Sequence, residues 1–146
     1  MTLKAKKLSK REVWIFSILG LLLTLATGFY IRSLFRLGEE DYAMGKVRNL
    51  VSNEASFAIR RPFDGYSCSL ADISDDKTIT TGKTRNGYIF EINDCGGMID
   101  RPHRKYHLIA RPLASALPTF CCDETGVLSA EYTGPVSNCI KSGEPI

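Results

Sequence analysis

Residues 13–31 contain no Asp, Glu, Lys or Arg. As a helix, such a run rises roughly 28 Å at ~1.5 Å per residue, close to the ~30 Å hydrocarbon core of a bilayer. The lack of charge excludes an ordinary surface helix. In lipid the backbone groups must bond internally, which selects helix over extended chain. Trp14, the one tryptophan, and Tyr30 stand near the two ends, where amphipathic rings settle at headgroups. A cleaved secretory signal would have a shorter apolar core, and Ala26-Thr27-Gly28 is a weak cleavage site. The run therefore reads as an uncleaved anchor.

Other absences narrow the chemistry. There are two histidines, no CxxC spacing, no EF-hand spacing and no internal repeat. His103 and His107 would share the face of a strand about 13 Å apart at ~3.3 Å per residue, too far for one metal. They read as solvated loop and strand histidines. Asp94, Asp100, Asp123 and Glu124 supply loop carboxylates without a calcium-loop pattern. Arg101, His103, Arg104 and Lys105 form a basic cluster without interleaved aromatics, which reads as a solvated loop rather than a nucleic-acid patch. With no nucleophile–base pair visible, we expect no catalytic residues, no metal site, no cofactor and no nucleic-acid partner.

Charge orients the anchor. Lys4, Lys6, Lys7, Lys10 and Arg11 precede it, against Glu12; Arg32 and Arg36 follow, then Glu39, Glu40 and Asp41. The excess of bases before the run favours a cytoplasmic N-terminus. Residues 32–146 hold 14 Lys/Arg and 15 Asp/Glu, so the remainder carries −1 although the whole chain is +3.

All five cysteines (Cys68, Cys95, Cys121, Cys122 and Cys139) lie beyond the anchor. Disulfides suit a small exported segment and are uncommon in the cytosol. Zinc would need paired cysteines at closer-matched spacing than adjacent Cys121-Cys122 provides.

Past the anchor, Leu34, Leu37, Met44, Val47, Leu50, Val51, Ala55 and Ala58 recur at three- and four-residue intervals. This predicts an amphipathic helix continuing out of the membrane until Pro62. Gly38 and Gly45 each weaken it by about 1 kcal/mol relative to Ala, which leaves room for a kink or break between Leu37 and Gly45. From Phe63 onward short alternating runs stand between turn residues. Tyr88, Phe90 and Ile92 face one way, followed by a Gly/Asp/Arg-rich loop to Lys105. Tyr106 to Pro112, Thr119 to Cys122 and Val127 to Ala130 supply further strands. Asp123-Glu124-Thr125-Gly126 is suited to a tight connection. The expected fold is α+β: a long N-terminal helix, transmembrane then amphipathic, packed on an antiparallel β-meander of three to four strands. The expected divisions are residues 1–12 (basic cytoplasmic tail), 13–35 (anchor), 36–61 (amphipathic extension) and 62–146 (β domain).

Alternation also sorts the cysteines. Phe120 and Cys122 share a face and Cys121 takes the other. With Phe120 toward the helix, Cys122 becomes a buried, unpaired small apolar residue, and Cys121 is free to bridge to Cys139. Cys68 and Cys95 form the second expected pair. Each bridge would contribute roughly 2–4 kcal/mol. Other pairings of the five stay open.

This architecture resembles that of type IV pilins and the pseudopilins of type II secretion. Lys46-Val47-Arg48-Asn49-Leu50 through Gly65-Tyr66-Ser67-Cys68-Ser69-Leu70-Ala71-Asp72 is similar to the helix end and following loop of bacterial pilin-like proteins. Asn86-Gly87-Tyr88-Ile89-Phe90 resembles their first strand. Tyr106 to Pro112 with Phe120-Cys121-Cys122-Asp123-Glu124-Thr125-Gly126-Val127-Leu128 resembles their last hairpin, and the tail from Cys139 to Ile146 is similar too. The likeness spans residues 46–146. It implies a non-enzymatic structural or assembly protein of the bacterial inner membrane, single-pass, with a periplasmic domain. Its partners would be the lipid bilayer and other pilin-like subunits or assembly proteins, met through the N-terminal helix. A membrane-tethered binding or sensory module using the same domain is the alternative. The chain departs from the pattern at Lys10-Arg11-Glu12-Val13-Trp14-Ile15-Phe16. It lacks the Gly-Phe processing site there, and Glu12 lies at the border of the apolar run. The resemblance therefore implies the fold and export, but not cleavage or extraction into a fibre.

Overall fold

The computed structural model describes residues 10–77, 79, 82, 84–95 and 102–146. The chain divides into two compact units, Met1–Leu37 and Gly38–Ile146. Helix α1 (Lys10–Arg60, 51 residues) contributes to both. It runs unbroken through Gly38 and Gly45.

In the first unit the apolar stretch of α1 contains no buried residue, and Leu19, Leu22, Leu25 and Phe29 are all exposed. Its two threonines bond to the helix's own backbone. The Thr24 hydroxyl donates to the Leu21 carbonyl at 2.8 Å, and that of Thr27 to the Leu23 carbonyl at 3.0 Å. Such back-bonding removes free hydroxyls from an apolar surround. Among the described residues this is the one helix long and apolar enough to cross a membrane.

In the second unit the rest of α1 buries Ala43, Val47, Leu50, Glu54 and Phe57. Their 4-3-4-3 spacing keeps one seam toward the sheet. The expected stripe was placed slightly off this seam: Met44 and Val51 are only partly buried and Ala55 is exposed. The acid at position 54 disguised the true centre. The helix stops where Pro62 removes a donor. The chain then turns with Gly65 N–H donating to the Arg61 carbonyl at 3.0 Å. A four-residue helix α2 (Leu70–Ile73) buries Leu70 and Ile73, and Asn53 Nδ2 donates to the Ile73 carbonyl at 2.7 Å.

The sheet is an antiparallel meander in the order β1-β2-β3-β4-β5-β6. The strands are β1 (Thr84–Arg85), β2 (Tyr88–Asn93), β3 (His107–Pro112), β4 (Thr119–Asp123), β5 (Leu128–Glu131) and β6 (Glu144–Pro145). Six strands stand where three to four were expected. The additional pair, β1 and β6, has two residues each, too few for alternation to register; neighbours pair them into the sheet. Asn86 and Gly87 both take positive φ and join β1 to β2, as a two-residue hairpin requires.

One sheet face meets α1. Phe90 pairs with Ala110, Leu108 with Cys122, and Phe120 with Ala130, so their side chains form a continuous apolar layer. Tyr88 stacks on Phe120 with ring centroids 5.9 Å apart, and its hydroxyl donates to the Pro118 carbonyl. The opposite face carries Ile109 and Cys121, covered by Cys139, Val136 and Ile140 of a third helix, α3 (Val136–Ser142). Seven residues were too few for helical periodicity to reveal α3 in the sequence. The Cys121–Cys139 disulfide ties α3 to β4, with Cα atoms 6.0 Å apart.

Candidate functional site

Where α1 ends, the chain leaving it folds back over the end of β2 and the approach to β3. This corner gathers three of the buried polar residues, Glu54, Ser67 and His103. Glu54 is fully buried, at 0% exposure. Its Oε2 accepts the Ser67 N–H at 2.8 Å, and its Oε1 is buried with no hydrogen-bond partner among the described residues. Burial pushes the Glu54 carboxyl up to about 7. The Ser67 N–H opposes that rise, and the charge of Asp72 adds to it. A half-satisfied ionised carboxylate in such a place is costly, so the group takes a proton far more readily than an exposed Glu.

The Ser67 hydroxyl bonds to the Ser69 carbonyl at 3.1 Å, ordering the loop whose amide Glu54 holds. Across the corner, residues 64–66 run beside residue 103. Tyr66 N–H donates to the His103 carbonyl and His103 N–H to the Asp64 carbonyl, both at 2.9 Å. Gly65 takes φ +76 here, and a Cβ on it would lie 2.2 Å from the His103 carbonyl oxygen, so the approach depends on glycine. His103 is thereby buried, at 9% exposure, with Nδ1 unpartnered among the described residues. This corrects the sequence reading of a solvated histidine. The reason is tertiary, because the backbone bridge to Gly65 draws residue 103 inward. Tyr66 and Tyr106 close the corner edge to face, with centroids 4.8 Å apart. A cleft of about 250 Å³ opens beside it, lined among others by Arg61, Asp64, Tyr66, Ser67, Asp72 and His103. The Arg61 guanidinium lies 5.0 Å above the Phe57 ring.

The five cysteines divide three ways. Cys121 and Cys139 are bonded. Cys122 is buried and unpaired, packed in the apolar layer, and burial pushes its thiol up to about 11. Cys68 and Cys95, the second expected pair, are brought side by side at the corner as thiols. Cys68 Sγ lies 3.8 Å from the Cys95 carbonyl, and Cys95 Sγ lies 3.9 Å from the Ser67 carbonyl. Burial, then the neighbouring Cys68, pushes the Cys95 thiol far above its ordinary value. A thiol so protonated is a poor nucleophile, whereas Cys68 is exposed to solvent.

The remaining sequence candidates lie apart. His107 Nδ1 is 2.7 Å from Asp94 Oδ2, a local pair across the β2–β3 end. Arg104 and Lys105 are exposed, while Asp100 and Arg101 lie outside the described residues. The carboxylate of Asp123 accepts from the Thr125 N–H and hydroxyl, shaping the β4–β5 turn. No group of three His, Cys, Asp or Glu suited to a metal ion occurs among the described residues. The Glu54–His103 corner escaped the sequence reading. One signal could have found it: the 4-3-4-3 seam of α1 runs through position 54, so an acid there has to be buried. Comparison with protein-family models, with curated proteins and with solved structures finds no match to this chain.

Proposed function

We propose that this chain is a non-enzymatic, pilin-like structural or assembly protein, single-pass in the bacterial inner membrane, with a cytoplasmic N-terminus and a periplasmic domain. Its setting is type IV pilus or type II secretion assembly. The observation that carries the reading is the dual character of α1. Its first unit exposes an uninterrupted apolar surface, and its second carries a buried seam against an antiparallel meander. An exposed apolar surface of that extent is incompatible with water and suited to lipid or to neighbouring helices. The disulfide between Cys121 and Cys139 agrees with an oxidising compartment. In this reading the residues act by packing: the anchor inserts, and the domain presents its surface to other subunits.

The test is to isolate the complex formed by the tagged full-length protein in native membranes and identify what co-purifies. Pilin-like subunits or assembly components are expected. Protease added to spheroplasts should digest the C-terminal domain; a domain shielded until the membrane is broken would overturn the topology.

A second reading is supported by the cleft beside Glu54 and His103, where buried polar groups converge. It is a membrane-tethered binding module. Ligand-dependent shifts confined to His103 and Ser67 amides in a small-molecule screen would favour it over an assembly subunit.

A further inference from the structure

The two expected cysteine pairs differ in access. Cys121 and Cys139, which are bonded, are both at 0% exposure. At the corner, Cys68 is exposed and lines the cleft of about 250 Å³, while Cys95 stands buried beside it at 8% exposure. Each sulfur lies against the other's stretch of chain. Cys68 Sγ is 3.8 Å from the Cys95 carbonyl oxygen, and Cys95 Sγ is 3.9 Å from the Ser67 carbonyl oxygen. One cysteine of this pair therefore meets solvent and the other does not.

Glu54 completes the arrangement. Its Oε2 is held by the Ser67 N–H, next to Cys68 in the chain, and its Oε1 is buried without a partner among the described residues. Burial, then Cys68, keeps the Cys95 thiol protonated, and the charges of Glu54 and Asp94 add to that. Glu54 acts likewise on the buried Tyr106 hydroxyl, and Asp72 of α2 acts on Glu54. His103 is buried in the same corner. A thiol so protected cannot attack until a neighbouring group takes its proton, and a carboxyl that titrates at about 7 is suited to take it.

We propose that Cys68 and Cys95 form a thiol–disulfide exchange couple for small disulfide compounds entering the cleft, with Glu54 as the proton acceptor for Cys95. The proposal stands on the corner alone, independently of the membrane-anchored reading. Cys68 loses its proton to solvent and attacks one sulfur of the compound. The compound's S–S bond breaks, a mixed disulfide forms at Cys68, and the first thiolate leaves and is protonated by solvent. Cys95 then passes its proton to Glu54 and attacks Cys68 Sγ, expelling the second thiolate, which also takes a proton from solvent. Glu54 afterwards releases its proton to solvent. The compound gains two electrons and two protons and becomes two thiols; the protein loses them and holds one bond. An excess of thiol runs the same steps backward. In this account the Cys68–Cys95 bond is reversible, whereas Cys121–Cys139 is sealed from exchange in the folded chain.

The experiment treats full-length protein in detergent with dilute dithiothreitol, removes the reductant and adds excess glutathione disulfide. Acid-quenched samples are read by intact mass and peptide mapping. Opening and re-formation of Cys68–Cys95 are expected, with Cys121–Cys139 retained throughout. A Cys68–Cys95 bond that resists the reductant until the domain unfolds refutes exchange. Cys95→Ser should stop at a glutathione adduct on Cys68, and Cys68→Ser should form an adduct on Cys95 at least about a hundredfold more slowly. An adduct that forms first on Cys95 overturns the proposal. Glu54→Gln has its own readout, because charge and proton affinity act with opposite signs. Loss of the charge alone lowers the Cys95 thiol toward its ordinary value and hastens closure of the mixed disulfide; loss of a proton acceptor slows it. Closure in Glu54→Gln should be at least about tenfold slower at pH 8 and should lack the inflection near pH 7 that the wild type shows. At pH 6, where Glu54 is mostly protonated, the two proteins should close within about threefold of each other. Equal or faster closure at pH 8, or the same tenfold loss at pH 6, refutes Glu54 as the acceptor.

Discussion

Glu54→Gln isolates the buried carboxyl. In the folded chain Glu54 titrates at about 7, against an ordinary value of 4.5. A carboxyl with a raised folded pKa binds more protons in the folded than in the unfolded state between those two values. Stability is therefore greatest below about pH 4.5 and declines as pH rises through about 7. The full span is worth about 3 kcal/mol, most of which falls between pH 5 and pH 8. Glutamine keeps an oxygen for the Ser67 N–H and has no charge to bury. The variant should thus gain on the wild type by roughly 2–3 kcal/mol on going from pH 5 to pH 8. For a unit of this size the gap in melting temperature would widen by on the order of 10 °C. The assay is thermal unfolding of both full-length proteins in detergent, followed by near-ultraviolet circular dichroism at several pH values. Comparing the two proteins cancels every pH effect that they share. Melting curves that stay parallel from pH 5 to pH 8 would refute the assignment of a buried, readily protonated Glu54.

Three further outcomes are expected. Gly65→Ala places a methyl 2.2 Å from the His103 carbonyl at φ +76, so it should destabilise the domain by at least about 2 kcal/mol and expose the loop after Pro62 to protease. Replacing Cys121 and Cys139 together by serine opens a loop of 18 residues, and urea unfolding should report a loss of about 3 kcal/mol with α3 released first. Cys68 and Cys95 are already adjacent, so a mild disulfide donor should join them by thiol–disulfide exchange; non-reducing peptide mapping that instead finds Cys68 joined to Cys122 would contradict the corner geometry.

The sheet's main strands were legible because their signal is local. Tyr88, Phe90 and Ile92 alternate with less buried residues, and the same period separates Phe120 and Cys122 from Cys121. In a sheet with different layers on its two faces, that period assigns each side chain to a face. Strands β1 and β6 and helix α3 carry too few residues to show a period. They exist through pairing and packing with segments distant in sequence. The corner was hidden for a related reason, since an acid on a helix and a histidine in a basic loop each read as solvated when seen alone.

What the sequence determined by itself was the uncharged run, the long helix, the turn-punctuated strands and the face each strand presents. These follow from composition and from periods of 3.6 and 2, which act over a few neighbouring residues. Only the tertiary structure decided that Glu54 and His103 are buried and that Cys68 lies beside Cys95. Burial and proximity there arise from contacts across tens of residues, and the desolvation that shifts Glu54 exists only once those segments have packed around it.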